Sequence, residues 1–219
     1  ALPVELLINR KIFMKLSEFI EIYDREESIV LLEGKRLVPP ADREKLRALG
    51  KLLTEKTSKM KFRSGNAGGT DQLFSEGVAS VDPARLQVIT PYAGHRSKTN
   101  KAAETIPLNE VNIAAEPKVV YQSKGNKKTE QLIDRYVTGE INHYTIKAAY
   151  ILRDTIKVIG TRSIKPATFG IFYDDPENPK SGGTGHTMQV CAQNNIPAID
   201  QSIWFSWLEE KRESLHQNR

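Results

Sequence analysis

Cysteine is nearly missing from this chain: Cys191 stands alone in 219 residues. A single thiol excludes an internal disulfide, and with no matching His/Cys spacing it excludes a zinc site; a reducing, cytoplasmic compartment fits it best. Long apolar runs are missing as well. None approaches the roughly 18–20 residues that a membrane-spanning helix needs, so no membrane partner is expected. The first residues, ALPVELLINRKIFMKL, carry their charges after the apolar stretch, the reverse of a signal peptide. Internal repeats and low-complexity tracts do not occur. Two nucleotide signatures are absent too. No Gly-Lys-Ser/Thr follows a glycine loop, which disfavours a P-loop ATPase. No Gly-x-Gly-x-x-Gly follows the first strand, which disfavours a nicotinamide dehydrogenase. No cofactor and no metal are therefore expected.

What is present is an ordinary globular mixture, 39% hydrophobic and 27% charged. The net charge of +5 is a mild basic excess that favours anionic partners without itself implying DNA. Residues 1–27 read as a helical lead-in with Phe13, Leu16, Phe19 and Ile20 on its apolar side. Apolar runs at 28–36, 59–65, 84–92, 167–175 and 196–200 read as strands. The segments 39–57, 70–81, 142–160 and 185–194 and the stretch SIWFSWLEEKRESL read as helices. Residues 97–140 are polar, lysine-rich and weakly periodic, and read as a loop insertion over a site. Alternating strands and helices predict one α/β domain with a Rossmann-like parallel sheet and helices on both faces. Ligands of such sheets bind beyond the carboxyl ends of the strands.

Two glycine-rich turns follow strands and open helices. The first, SGNAGGTD, offers Ser64, Gly65, Asn66, Gly68, Gly69, Thr70 and Asp71. The second, SGGTGHT, offers Gly182, Gly183, Thr184, Gly185, His186 and Thr187. Helix N-termini carry unpaired amides and partial positive charge, and glycine lets a ligand come close. Each turn therefore reads either as a phosphate cradle or as a tight strand-to-helix turn, and the pair in matching positions favours the cradle. Arg96 follows the third strand and reads as a phosphate contact or a solvated arginine.

These two stretches, SGNAGGTDQLFSEGVA and SGGTGHTMQVCAQNNIPAI, together with ITPYAGHR at 89–96, resemble the SLOG superfamily. Its Rossmann-like members include DprA-like proteins and LOG-type phosphoribohydrolases. The likeness spans about 28–96 and 142–208. It implies a nucleotide or nucleotide-derived ligand held in a binding or sensor role. It also leaves open an N-glycosidase of the phosphoribohydrolase kind, or DprA-like binding of single-stranded nucleic acid. The LOG motif PGGxGTxxE is altered here: Ser181 stands at its proline, His186 at its threonine and Gln189 at its catalytic glutamate. Glutamine cannot ionise, so a carboxylate from Asp71, Asp174 or Asp175 would have to replace it. Asp174 and Asp175 also fit a plain turn before Pro176, and His95 fits a polar loop. Trp204, Phe205 and Trp207 read as core or homodimer packing.

Overall fold

The structure is a computed structural model, and it describes residues 14–125 and 127–217, with the side chains of 14–125 and 127–209. Among the described residues, six strands form one sheet: β1 (Ile29–Gly34), β2 (Lys61–Ser64), β3 (Leu86–Thr90), β4 (Glu104–Pro107), β5 (Phe169–Tyr173) and β6 (Ala198–Ile199). Every neighbouring pair runs parallel, in the order β4-β3-β2-β1-β5-β6. The fold is α/β and Rossmann-like.

The central strands read as apolar runs because helices cover both sides of them. Side-chain alternation then divides each strand between two cores. Val30 and Leu32 of β1 join Phe62, Val88, Phe169 and Ile171 on one face. That face is covered by α1 (Leu16–Tyr23), α2 (Pro40–Lys56), α3 (Thr70–Ala79) and α8 (Gln201–Gln217). Leu31 and Phe172 point the other way, towards α6 (Ile146–Ile159) and α7 (Gly182–Gln193). Helix α2 starts with proline at its first position, where the missing N–H costs nothing, and buries Leu46, Leu49, Leu52 and Leu53 as its spacing requires.

Residues 97–140, expected as a loop insertion, fold into regular elements. They supply the edge strand β4, paired with β3 from Gln87↔Glu104 to Thr90↔Pro107, and helices α4 (Pro117–Ser123) and α5 (Lys127–Val137). Leu108, Ile113, Val119, Ile133 and Tyr136 form a core with Ala148, Leu152 and Ile156 of α6. In α5, Leu132, Ile133, Tyr136 and Val137 recur at helical spacing, a pattern that was present in the sequence and was passed over among the surrounding lysines. Of the N-terminal helical extension, residues 1–13 lie outside the described residues.

The strand order places a reversal at β1. From there the chain steps outward through β2, β3 and β4, and then returns to β5 on the other flank of β1. Crevices in open α/β sheets form at such a switch point, beyond the carboxyl ends of the two diverging strands. Gly34 and Tyr173, opposite one another in register, are those ends.

Candidate functional site

A cleft of about 630 Å³ opens at this switch point. Four parts of the chain wall it: the end of β1 with Lys35 and Arg36, Ala67 and Asp71 after β2, one face of α6, and the start of α7 from Ser181 to Thr184. The α6 wall carries Lys147, Tyr150, Arg153, Asp154 and Lys157. These positions recur at three- and four-residue intervals, so one stripe of the helix faces the cleft.

The floor is ionic and dry. Lys157 is 1% exposed and pairs with both Glu33 and Asp154, the latter at 2.8 Å. Arg153 donates to Asp154 at 2.6 and 3.1 Å, and through its third nitrogen to the carbonyl of Gly65 at 2.8 Å. Charges withdrawn from water this completely persist only when each has partners. Burial alone would raise the carboxyl of Asp154, but Arg153 and Lys157 together hold it below the usual range. Burial would likewise lower the Lys157 ammonium, and Asp154 and Glu33 hold it up. Glu33 is left weakly compensated. Burial, aided by the negative charges of Asp71 and Asp154, outweighs Lys157 and pushes it up to about 7.

The first glycine turn uses its amides inside the protein. Gly65 and Ala67 donate to the Asp71 carboxylate at 3.1 and 3.3 Å, and Thr70 donates to the carbonyl of Lys35 at 3.3 Å. The Thr70 hydroxyl bonds the same carbonyl at 2.8 Å. Asn66 holds the chain after β3 through the carbonyls of His95 and Arg96, at 3.1 and 3.4 Å. Gly69 sits at φ +80°, and a Cβ there would lie 2.0 Å from the carbonyl oxygen of Arg36, so the turn presses against the β1 loop. Of this turn, Ala67 and Asp71 line the cleft. Ser64, Gly65, Asn66, Gly68, Gly69 and Thr70 build the wall behind it. Three amides of this turn, those of Gly65, Ala67 and Thr70, are thus engaged within the protein.

The second turn is arranged differently. Ser181, Gly182, Gly183 and Thr184 all line the cleft. The first internal bond of α7 runs from the Gly185 amide to the Ser181 carbonyl at 3.0 Å, so the amides before it precede the helical ladder. A Cβ at Gly185 would lie 1.8 Å from the carbonyl oxygen of Lys180; only glycine fits beneath that loop. Asp174 fixes the same loop by accepting from the amides of Asp175 and Lys180, each at 2.8 Å. Asp175 meets Lys35 at 3.5 Å. The remaining residues of the motif turn away from the cleft. Thr187 bonds the Gly183 carbonyl at 3.0 Å, and His186 meets the Thr155 hydroxyl at 3.0 Å. Burial holds the His186 imidazole below its ordinary pKa. Gln189 is exposed, with its amide nitrogen 3.9 Å from where a Cβ on Gly125 would stand, well outside the cleft lining. Arg96 is exposed and bonds Gln72 at 2.7 Å, beside Gly68.

One rim is aromatic. Tyr92, His95 and Tyr150 meet edge to face, with centroids 5.1, 5.7 and 6.4 Å apart. Burial, reinforced by the positive charges of Arg153, Arg96 and Arg36, lowers His95 to about 4. The imidazole is neutral at pH 7, and its surroundings are electropositive.

No family model and no curated protein matches the chain. Among solved structures it is similar to DNA processing protein A from Helicobacter pylori, a structure described for its single-stranded DNA binding mode. The TM-score is 0.47 and the identity 11%, over 82% of this chain and 67% of that one. The likeness concerns the arrangement of the chain.

Sequence reasoning passed over most of the cleft: Glu33, Lys35, Arg36, Lys147, Tyr150 and the Arg153–Asp154–Lys157 cluster. Signals for them exist. The apolar run IVLL ends in the charged tetrapeptide EGKR at a strand's carboxyl end, and KAAYILRDTIK repeats polar residues at helical spacing among apolar ones. Glycine motifs are conspicuous, whereas a polar stripe on a buried helix is read only once its partner is known. Among the described residues, no helix is long and apolar enough to cross a membrane.

Proposed function

We propose that this chain binds a nucleotide or nucleotide-derived ligand in the switch-point cleft, as a cytoplasmic binding or sensor protein. The phosphate lies at the start of α7, between Ser181–Thr184 and the cations Lys35, Arg36 and Lys147. The observation that carries the reading is this convergence on one cleft: helix-terminal amides and three lysine or arginine side chains, at the place where open α/β sheets hold ligands. The reading draws on one glycine turn for the phosphate and assigns the other to support. Among the described residues the Arg36 side chain makes no hydrogen bond or ion pair, which leaves its guanidinium for an incoming anion.

Isothermal titration with nucleoside monophosphates, ADP-ribose and cyclic ADP-ribose tests it. Saturable binding by one of them is expected, and Arg36→Ala should weaken it about tenfold or more, the loss of one charge-assisted contact. A folded protein that binds none of them contradicts the proposal. Binding confined to single-stranded DNA, with affinity falling steeply as salt rises, would replace the nucleotide with nucleic acid.

One observation favours a second reading, cleavage of an N-glycosidic bond. Glu33 lies at the cleft floor and keeps its proton up to about pH 7. A protonated carboxyl there is suited to protonate a departing base while water adds to the sugar carbon. It fills the need for a carboxylate that Asp71, Asp174 and Asp175 do not meet, since the first two are engaged with backbone amides and the third with Lys35 and the Glu177 amide. Release of free base from a nucleoside monophosphate, abolished in Glu33→Gln with ligand binding retained, is the result this reading requires. Tight binding without turnover leaves the binding role.

A further inference from the structure

The cleft has two chemically different ends, and this bears on how a ligand is oriented within it. One end holds the start of α7, and Arg36 lies close enough to Tyr150 and His95 for its charge to act on both. The other ends at Tyr150, whose ring is held by perpendicular contacts with Tyr92 and His95 at 85° and 83°. The Arg153 guanidinium lies 5.5 Å from its centroid. Tyr92 is 39% exposed and Tyr150 is half-buried, so aromatic surface stays in contact with water beside an otherwise ionic cleft. Tyr150 also stands one helical turn before Asp154, and Asp154 reaches the α7 start, with an oxygen 3.2 Å from where a Cβ on Gly183 would sit. Four residues of helix rise about 6 Å, room for one sugar between a planar group at Tyr150 and an anion at the α7 start, where the charge of Asp154 is offset by its pairs with Arg153 and Lys157.

We infer that Tyr150, steadied by Tyr92 and His95, is the stacking surface for the base of the ligand, whose phosphate lies one helical turn away at the start of α7. The inference rests on the proposed nucleotide reading and adds the orientation of the ligand and the demand for an aromatic base. Stacking suits this corner. Every base presents a π-face, and an aromatic surface binds it without a charge of its own. Edge-on neighbours fix the ring before the ligand arrives, so little side-chain entropy is lost on binding. A sugar phosphate without a base, or inorganic phosphate, would leave Tyr150 unused.

The test compares AMP, GMP, CMP and UMP with ribose 5-phosphate by isothermal titration, on the parent protein and on Tyr150→Ala and Tyr150→Phe. At least one nucleotide should bind about tenfold or more tightly than ribose 5-phosphate, the equivalent of ~1.4 kcal/mol. Tyr150→Ala should erase that advantage and leave ribose 5-phosphate affinity unchanged, which also shows that the variant is folded. Tyr150→Phe should keep it. If ribose 5-phosphate binds as well as every nucleotide, or if Tyr150→Ala weakens both equally, the base does not stack on Tyr150 although the phosphate site stands. If no probe binds, both readings fall.

Discussion

Glu33 follows four apolar residues into a strand buried on both faces, and alternation turns its side chain towards α6, where Lys157 and Asp154 meet it. Its carboxyl gains one buried cation and two neighbouring anions, so burial decides its protonation. Native Glu33 keeps its proton to about pH 7, whereas the unfolded chain releases it near the ordinary glutamate value of 4.5. Between those values the native state binds more protons than the unfolded one. The contribution of Glu33 to stability therefore falls as pH rises from about 4.5 to about 7. Glu33→Gln removes this dependence. Urea unfolding of parent and variant across pH 4 to 8 should show the variant gaining on the parent through that window, by on the order of 1–3 kcal/mol, and then levelling. A difference that stays constant with pH would mean that Glu33 titrates alike in the native and the unfolded chain. At this scale the sequence was legible where a residue's role is local. Asp71 in the first turn of a helix and Asp174 before a proline turn both cap loops, as their types suggest. It was not legible for Glu33, whose partner lies 124 positions away in the chain, on a helix across the sheet.

Helix α8 shows how an element with modest periodicity becomes structural. Trp204 and Trp207 are fully buried and each finds an acceptor for its indole N–H: the carbonyl of Phe172 at 2.9 Å and that of Met14 at 2.7 Å. Trp207 also lies 5.1 Å from the Phe19 ring of α1, so α8 ties the two ends of the described chain to one face of the sheet. Trp207→Ala should cost about 3–5 kcal/mol, the range for deleting a large core aromatic, and lower the urea midpoint without changing ligand affinity at temperatures where the variant is folded. A cost under about 1 kcal/mol would mean that α8 is not part of the cooperative core. Core packing of these indoles was readable from their helical spacing. The elements within 97–140 were not read: β4 is four residues long at a sheet edge and α4 only seven, while the Leu132, Ile133, Tyr136 and Val137 stripe of α5, which packs on α6, was there to be seen.

For the whole molecule, alternation of strands and helices was enough to predict a parallel α/β sheet, because helices cover both faces and leave the strands apolar. Strand order was not readable, and strand order creates the cleft. Only the return of the chain to β5 beside β1 brings the α7 start, the EGKR loop and the α6 stripe together. Two glycine turns that look equivalent in sequence thus take different work: the first braces β1 against the chain after β3, and the second faces the cleft. The most direct measurement is a titration of nucleoside monophosphates followed by amide NMR shifts. The account predicts saturable shifts centred on residues 34–36 and 182–184, with the amides of 65–71 little moved. Shifts centred on the first turn and Arg96, or on the surface at 121–130, or no saturable shift at millimolar ligand, would contradict it.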